Sequence, residues 1–166
     1  MGTAIFYASS TGNTQIIAKE ISRQLGDITL FDIADEGISQ MSEFDTIILG
    51  LSTWGEGELQ DDWDDVWDDL KDIDFSNKTV ALFGLGDQED YGYNFVDAIG
   101  IAYEELENRA AHIIGKTSIS DDYFYEESRA VVDGKFVGLA LDEDNQESLT
   151  NQRVLSWCEE IKNEMN

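Results

Sequence analysis

The sequence predicts an α/β fold in which a mostly parallel sheet is covered by helices on both faces. Two observations predict it: short apolar strands alternate with helices along the chain, and the central strands lack the polar alternation of a half-exposed sheet. A chain of 166 residues has the length of one domain with a full core, so we expect a single domain over residues 1–166.

The amino-terminal half predicts three strands and two helices. The strands are apolar runs at residues 3–8, 28–33 and 46–49, and the last of these ends at a glycine. A helix over residues 13–25 repeats its apolar side chains at helical spacing. A second helix over residues 62–70 has tryptophan, valine and leucine on one face and aspartates on the other.

The carboxyl-terminal half continues the alternation. We predict a strand at residues 79–83, a helix that begins at Asn94, a strand that opens within residues 111–119, and a last helix. Apolar stripes mark the two helices, and they consist of Phe95, Ile99, Ala102 and Leu106, and of Val154, Cys158, Ile161 and Met165.

One segment, residues 120–138, interrupts this alternation of strands and helices. It begins with acidic and aromatic side chains and continues as a strand-like run around Asp133-Gly134, a dipeptide typical of tight hairpin turns. We interpret the segment as an insertion near the fifth strand, which resumes at residues 138–141.

The charge of the chain excludes several classes of function. It has 36 acidic and 10 basic side chains and a formal net charge of −26. Nucleic-acid binding needs Lys and Arg to neutralise phosphates, and anionic membranes attract basic surfaces, so we expect neither partner. No apolar run is long enough to span a bilayer, and the first residues lack the basic start of a secretion signal. A single cysteine fits a reducing compartment, and we expect a cytoplasmic protein.

The loop after the first strand predicts a phosphate site. In open parallel sheets, ligands bind beyond the carboxyl ends of the strands. The loop leads directly into a helix and consists of Ser9, Ser10, Thr11, Gly12, Asn13 and Thr14. The free amides and the dipole of a helix start attract anions, and the hydroxyls could wrap a phosphate without any Lys or Arg. The alternative is an ordinary hydroxyl cap of the helix.

The loops after the third and fourth strands place aromatic side chains among glycines. They contain Ser52, Thr53, Trp54, Gly55, Glu56 and Gly57, and then Leu85, Gly86, Asp87, Tyr91 and Asn94. A tryptophan in such a loop has little core to pack in, and its flat face favours another ring, unless it folds back onto the domain. Together the three loops predict a site for a flat, phosphorylated heteroaromatic compound.

These three loops, in this order and spacing, resemble those of the flavodoxins, and the pattern extends along nearly the whole chain. The insertion is similar to that of the long-chain subgroup. The resemblance implies a flavodoxin-like, doubly wound sheet of five parallel strands in the order 2-1-3-4-5. It also implies a monomeric electron carrier, not an enzyme, in which non-covalently bound FMN cycles between semiquinone and hydroquinone at low potential.

The resemblance also implies roles for individual residues. Residues 9–14 would hold the FMN phosphate, and Trp54 and Tyr91 would flank the isoalloxazine ring, although Tyr93 competes with Tyr91 for this role. The other polar contacts would come from Ser52, Thr53 and Asp144 to the ribityl chain, and from Asp87 and Asn94 to the pyrimidine edge. The peptide between Gly55 and Glu56 is the candidate for turning its carbonyl toward flavin N5.

The charges around the loops predict a low potential. The fully reduced flavin is an anion, and no basic side chain of the phosphate loop offsets it. One carboxylate about 10 Å away, at an effective dielectric of ~20, opposes this anion by roughly 1.7 kcal/mol, or about 70 mV. We expect a blue neutral semiquinone on partial reduction.

The acidic helix after the tryptophan loop predicts a docking surface for basic redox proteins, with an ordinary solvated face as the alternative. Its aspartates are Asp61, Asp62, Asp64, Asp65, Asp68 and Asp69. By resemblance, the partners would include ferredoxin–NADP reductase, nitrogenase, pyruvate oxidoreductase or photosystem I. We predict no metal site, since the lone His112 has no neighbouring Cys or His, and we expect Cys158 to be a core thiol.

Three other functions are compatible with an α/β domain of this kind. A receiver domain would need paired carboxylates after the first strand, where this chain has two serines. A flavin enzyme such as a quinone reductase is the main alternative, although no catalytic acid or nicotinamide site is evident. A binding module without a redox role would require empty flavin loops.

Overall fold

A parallel sheet forms the centre of the molecule, and the computed structural model describes it within residues 2–165. The strands are β1 Thr3–Tyr7, β2 Thr29–Asp32, β3 Thr46–Trp54, β4 Glu58–Leu59, β5 Thr79–Leu85, β6 His112–Ile114, β7 Thr117–Ser118, β8 Val131–Val132, β9 Lys135–Phe136 and β10 Leu139–Leu141. The helices are α1 Asn13–Gln24, α2 Ile33–Glu36, α3 Asp61–Leu70, α4 Asp97–Asn108 and α5 Glu147–Met165, with a 3-10 helix at Ser39–Glu43.

The strand order across the main sheet is β2-β1-β3-β5-β10, and all of these neighbours are parallel. β6 pairs with residues 79–81 of β5, and β10 pairs with residues 83–85 of the same strand. β6 and β10 are therefore two segments of one edge strand. Counted in this way, the order is the predicted 2-1-3-4-5, and the predicted fold class is confirmed.

The insertion predicted near the fifth strand separates these two segments. Within it, β7, β9 and β8 form a small antiparallel sheet. Asp133 and Gly134 between β8 and β9 both have positive φ, 54° and 79°, as a two-residue hairpin turn of this kind requires. The predicted hairpin is therefore confirmed.

Apolar side chains cover both faces of the main sheet. Ile47 belongs to the cluster under α3 and α4, whereas its neighbour Ile48 belongs to the cluster under α1 and α5. Successive residues of a strand point to opposite faces, so an uninterrupted apolar strand needs helices on both sides. Trp63 fastens α3 to this sheet, because its indole N–H donates to the Gly50 carbonyl at 2.9 Å.

Two predicted boundaries, the end of one strand and the start of one helix, are wrong near the loops that were expected to bind a ligand. β3 does not end at Gly50 but continues to Trp54, because β4 turns back and pairs with its last residues. α4 begins at Asp97 and not at Asn94, because Val96 has a left-handed backbone, with φ 48°, that interrupts a right-handed helix.

The strand predicted within residues 111–119 is also shorter than expected. β6 ends before Gly115, whose φ of 79° turns the chain away from the main sheet and into the insertion.

In the chain from residue 2 to residue 165, no helix has both the length and the apolar character needed to cross a membrane.

Candidate functional site

A cleft of about 180 Å³ opens at the carboxyl ends of β1, β3 and β5, where the sequence predicts a ligand. Most of the predicted site residues line it, namely Thr11, Asn13, Thr14, Ser52, Thr53, Trp54, Gly55, Leu85, Gly86, Asp87, Tyr91 and Asp144. Glu143 also lines the cleft, and the sequence analysis missed it. Its position directly before Asp144 was the available signal.

The other predicted residues belong to the same loops but do not line the cleft, and they are Ser9, Ser10, Gly12, Glu56, Gly57 and Asn94. Three of them take part in hydrogen bonds that hold the first loop in place. The Gly12 N–H donates to Ser9 Oγ at 2.9 Å, and Gln60 Nε2 donates to Ser10 Oγ at 2.9 Å. The buried Gln60 also caps α3, because its Oε1 accepts from the Asp62 N–H.

The start of α1 faces the cleft with hydroxyls and amides. Gly12 precedes the helix with φ 93°, and no side chain caps the helix start. The first helical hydrogen bond runs from the Ile16 N–H to the Gly12 carbonyl, so the earlier amides of the turn lie outside the helical ladder. Among the described residues 2–165, the cleft is lined by no Lys or Arg. The arrangement suits an anion held by neutral donors and the helix dipole.

A tight hairpin carries the tryptophan of the second loop. Thr53 and Trp54 at the end of β3 pair with β4, and the turn between the strands contains Gly55 and Gly57, whose φ values are 52° and 90°. The Trp54 indole N–H donates to Ser52 Oγ at 2.8 Å, and the side chain is 42% exposed. The indole is thus held at the cleft and does not fold back into the core.

Two exposed tyrosines follow β5, and only one of them lines the cleft. Tyr91 lines it and is 49% exposed, whereas Tyr93 is 65% exposed and is not among the lining residues. The Tyr91 N–H donates to the Asp87 carbonyl at 3.0 Å, which closes the turn that presents the ring. The cleft therefore has an aromatic side chain from each of two loops, Trp54 and Tyr91.

Carboxylates crowd one side of the cleft. Asp87, the buried Asp142 and Asp144 each offer an oxygen within 4.8 Å of the others. Asn145 Nδ2 donates to Asp87 Oδ1 at 2.8 Å and also to Asp142, so it bridges these two carboxylates. Loss of hydration raises the pKa of the Asp144 carboxyl, and the charges of Asp87 and Asp142 raise it further. This side of the cleft opposes any additional negative charge.

Asn94 takes part in a hydrogen-bond cluster behind the cleft. Its Nδ2 donates to Oδ2 of the buried Asp97 at 3.1 Å. Asp97 Oδ1 accepts from the Arg129 N–H of the insertion at 2.8 Å. A Cβ on Gly57 would lie 2.6 Å from Asp97 Oδ2, so this hairpin turn needs glycine for its close approach. Asp97 thereby joins the hairpin, the tyrosine loop and the insertion.

The sequence matches a known family over most of its length. The family model described as Flavodoxin matches residues 5–157. The chain belongs to the flavodoxin family. The flavodoxin of Picosynechococcus sp. is 44% identical over 161 residues, which cover 95% of this chain and 94% of that relative. Flavodoxin 2 of Escherichia coli strain K12 is 42% identical over 168 residues, covering 99% and 97%.

Solved flavodoxin structures have the same fold. The crystal structure of Fusobacterium nucleatum flavodoxin bound to flavin mononucleotide has a TM-score of 0.92 and 38% identity, and the match covers 98% of this chain and 97% of that one. Oxidised flavodoxin 2 from Bacillus cereus has a TM-score of 0.73 and 28% identity over 99% of both chains. Flavodoxins are electron-transfer proteins, so the predicted family and the expectation of a carrier that is not an enzyme are confirmed.

Proposed function

We propose that this flavodoxin is a low-potential one-electron carrier that binds FMN non-covalently in the cleft. The observation that carries the proposal is one cleft lined both by a hydroxyl-rich helix start and by two half-exposed aromatic side chains, Trp54 and Tyr91. The first suits a phosphate and the second suits a flat ring, and FMN has both. The F. nucleatum flavodoxin, whose structure contains FMN, supports the same cofactor.

The phosphate would bind at the start of α1. Thr11, Asn13 and Thr14 line the cleft, and their side chains and amides offer neutral donors. Ser9 would act by fixing the loop backbone, since its Oγ already accepts from the Gly12 N–H. The donor set fits a phosphate whose charge is balanced by the helix dipole and not by a cation. Ser10 and Gly12 would complete the loop.

The ring and the ribityl chain would occupy the rest of the cleft. Trp54 and Tyr91 would flank the ring, and Ser52, Thr53 and Asp144 would lie beside the ribityl chain. Thr53 is well fixed for this role, because its Oγ1 accepts from the Ala98 N–H at 2.9 Å. We place Asp87 at the pyrimidine edge, and Asn94 would support that edge from behind.

The peptide between Gly55 and Glu56 would respond to the protonation of the ring. It lies in the hairpin turn, where Gly55 and Gly57 have positive φ and carry no side chain of their own. Turning the Gly55 carbonyl toward the ring would provide an acceptor for a protonated flavin N5.

Bound FMN would supply the redox chemistry by exchanging single electrons between its semiquinone and hydroquinone states. The protein would set the potential through Asp87, Asp142, Glu143 and Asp144, with no Lys or Arg lining the cleft in residues 2–165. Each carboxylate about 10 Å from the added charge opposes it by roughly 70 mV at an effective dielectric of ~20, and less where salt screens it. Several of them together favour a low potential.

The outer face of α3 would steer partners to the cleft. Trp63 and Leu70 anchor the helix in the core, while Asp61, Asp64, Asp65, Asp68 and Asp69 are exposed and Asp62 is half-buried. Fast, salt-sensitive association with basic redox proteins follows from such a face. Ferredoxin–NADP reductase, nitrogenase, pyruvate oxidoreductase and photosystem I are the candidates that the family suggests. We place this carrier in the cytoplasm as a monomer; its one cysteine, Cys158, is buried and offers no exposed thiol for a disulfide between copies.

A visible spectrum and a titration of the apoprotein with FMN test this function. We expect flavin absorbance, uptake of one FMN per chain, and a blue colour on partial reduction. A protein that is colourless and takes up no FMN would overturn the proposal. Oxidation of NAD(P)H without an added reductase would instead indicate a flavin enzyme.

A further inference from the structure

A second cavity lies between the insertion and α5. Its volume is about 370 Å³, which is within the range of small-molecule sites. Residues of β7, β9 and α5 line it, and it shares no lining residue with the cofactor cleft. The proposed FMN function makes no use of it.

The cavity is rich in basic side chains, although the chain as a whole is strongly acidic. Three of the chain's 10 basic side chains line it, Lys116, Lys135 and Arg153, together with two carboxylates, Asp122 and Glu160. Among residues 2–165, the ion pairs within 4.0 Å include none of these three basic groups. A concentration of unpaired positive charge of this kind favours an anionic ligand.

Lys116 and Arg153 each lie against a tyrosine ring, and Lys135 is the most exposed of the three basic side chains. Lys116 Nζ donates to the Tyr103 hydroxyl at 3.3 Å and lies 5.1 Å from the centre of that ring. Lys135 is exposed at the cavity mouth on β9, where no carboxylate pairs with it within the described chain.

Arg153 has a buried donor without an acceptor. Its Nη1 donates to Gln146 Oε1 at 2.8 Å, and its guanidinium carbon lies 4.0 Å from the centre of the Tyr123 ring. Burial raises the pKa of Tyr123 to about 12, so the ring under the guanidinium stays neutral. Nη2 is buried and has no hydrogen-bond partner in the described structure. Nη2 belongs to a side chain that lines the cavity, and a buried charged donor without an acceptor indicates that an acceptor is missing.

We propose that this cavity binds a small organic phosphate. The phosphate faces Arg153 and Lys135, because the planar guanidinium matches the geometry of a phosphate and the ammonium adds a point charge. The organic part lies against the apolar wall, which is formed by Leu139, Leu149 and Trp157. Exposed acidic groups elsewhere on the molecule act weakly here, because salt screens charges beyond about 8 Å at physiological ionic strength.

Titration of the FMN-loaded, ¹⁵N-labelled protein with phenyl phosphate tests the proposal by NMR. FMN keeps the phosphate loop occupied, so the probe reports on the second cavity. We expect saturating shifts of the Trp157 indole and of the amides of residues 117 and 135, with the amides of residues 11–14 unmoved. Phenol, which has the ring but no charge, should bind far more weakly.

Three variants separate the cavity from general charge effects. Arg153→Gln should weaken phenyl phosphate binding about tenfold or more, and Lys135→Gln should weaken it by a smaller factor. Arg23→Gln is the control, because Arg23 is an exposed residue of α1 that pairs with Glu20 and lies outside the cavity. It should leave the affinity unchanged.

Several results would overturn the site: no saturating shifts at the cavity, shifts confined to residues 11–14, equal binding of phenol, or an equal loss in Arg23→Gln. If Arg153→Gln does not fold, an unchanged affinity in the exposed Lys135→Gln variant would overturn it. A chain that takes up no FMN is titrated in the same way, since the shifted amides identify which of the two sites binds the probe.

Discussion

Tyr91 and Tyr93 offer a matched test of where the flavin ring binds. Both are exposed tyrosines of one loop, at 49% and 65% exposure, but only Tyr91 lines the cleft. We expect Tyr91→Ala to weaken FMN binding and Tyr93→Ala to leave it unchanged, because only the first variant removes a ring that a cofactor in the cleft would cover.

The expected loss follows from the exposed area of Tyr91. An aromatic side chain of about 200 Å² that is 49% exposed presents roughly 100 Å² to solvent. A bound ring that covers one face removes about half of this area, which contributes about 1.2 kcal/mol at ~25 cal/mol per Å². Stacking adds roughly 0.5–1.5 kcal/mol. The total is about 2 kcal/mol, or a roughly 30-fold rise in Kd.

Quenching of FMN fluorescence by each apoprotein measures these dissociation constants. Circular dichroism of the two variants checks that both remain folded, since neither tyrosine is part of the core. Equal affinities in the two variants, or a greater loss in Tyr93→Ala, would refute the placement of the ring against Tyr91.

Three other predictions concern stability and association. Asp144→Asn should stabilise the apoprotein at neutral pH. The pKa of the Asp144 carboxyl is higher in the folded than in the unfolded state, so ionisation of this carboxyl at neutral pH lowers the free energy of unfolding, and the substitution removes that loss. In urea unfolding, the gain in free energy of unfolding of the variant should vanish when the pH is lowered below the usual pKa of a carboxyl. Trp157→Phe should lower the free energy of unfolding by about 2 kcal/mol, because the buried indole N–H donates to the Gly115 carbonyl, and an unchanged urea midpoint would contradict this. Replacing Asp64 and Asp68 of α3 with Asn should slow association with a basic reductase at low salt in stopped-flow measurements, whereas rates equal to those of the parent chain would argue against docking there.

Much of the fold could be predicted because it depends on local patterns. The uninterrupted apolar strand at residues 46–49 requires cover on both faces, and the structure has a separate cluster on each side, with Ile47 in one and Ile48 in the other. Asp133-Gly134 favours a two-residue turn in almost any context, because both residues tolerate positive φ. The three loops could also be located, since they follow strands whose carboxyl ends share one edge of the sheet.

Other features depend on contacts between distant parts of the chain. Val96 takes a left-handed backbone that a β-branched residue avoids by itself, and this moved the start of α4 away from Asn94. The hydrogen bonds that the neighbouring Asp97 makes to Asn94 and to the insertion surround this turn, and no short stretch of sequence contains all of these groups. Glu143 lines the cleft for a similar reason, because contacts with distant parts of the chain place the loop after β10 there.

The sequence by itself determined the alternation of strands and helices, the insertion, and the loops that surround the cleft, because side-chain periodicity and turn chemistry act over a few residues. Only the tertiary structure decided that Tyr91 and not Tyr93 lines the cleft, that β6 and β10 form one edge strand, and that Arg153 has a buried donor without an acceptor. Each of these depends on which distant segments pack together, and burial and hydrogen bonding are properties of that packing.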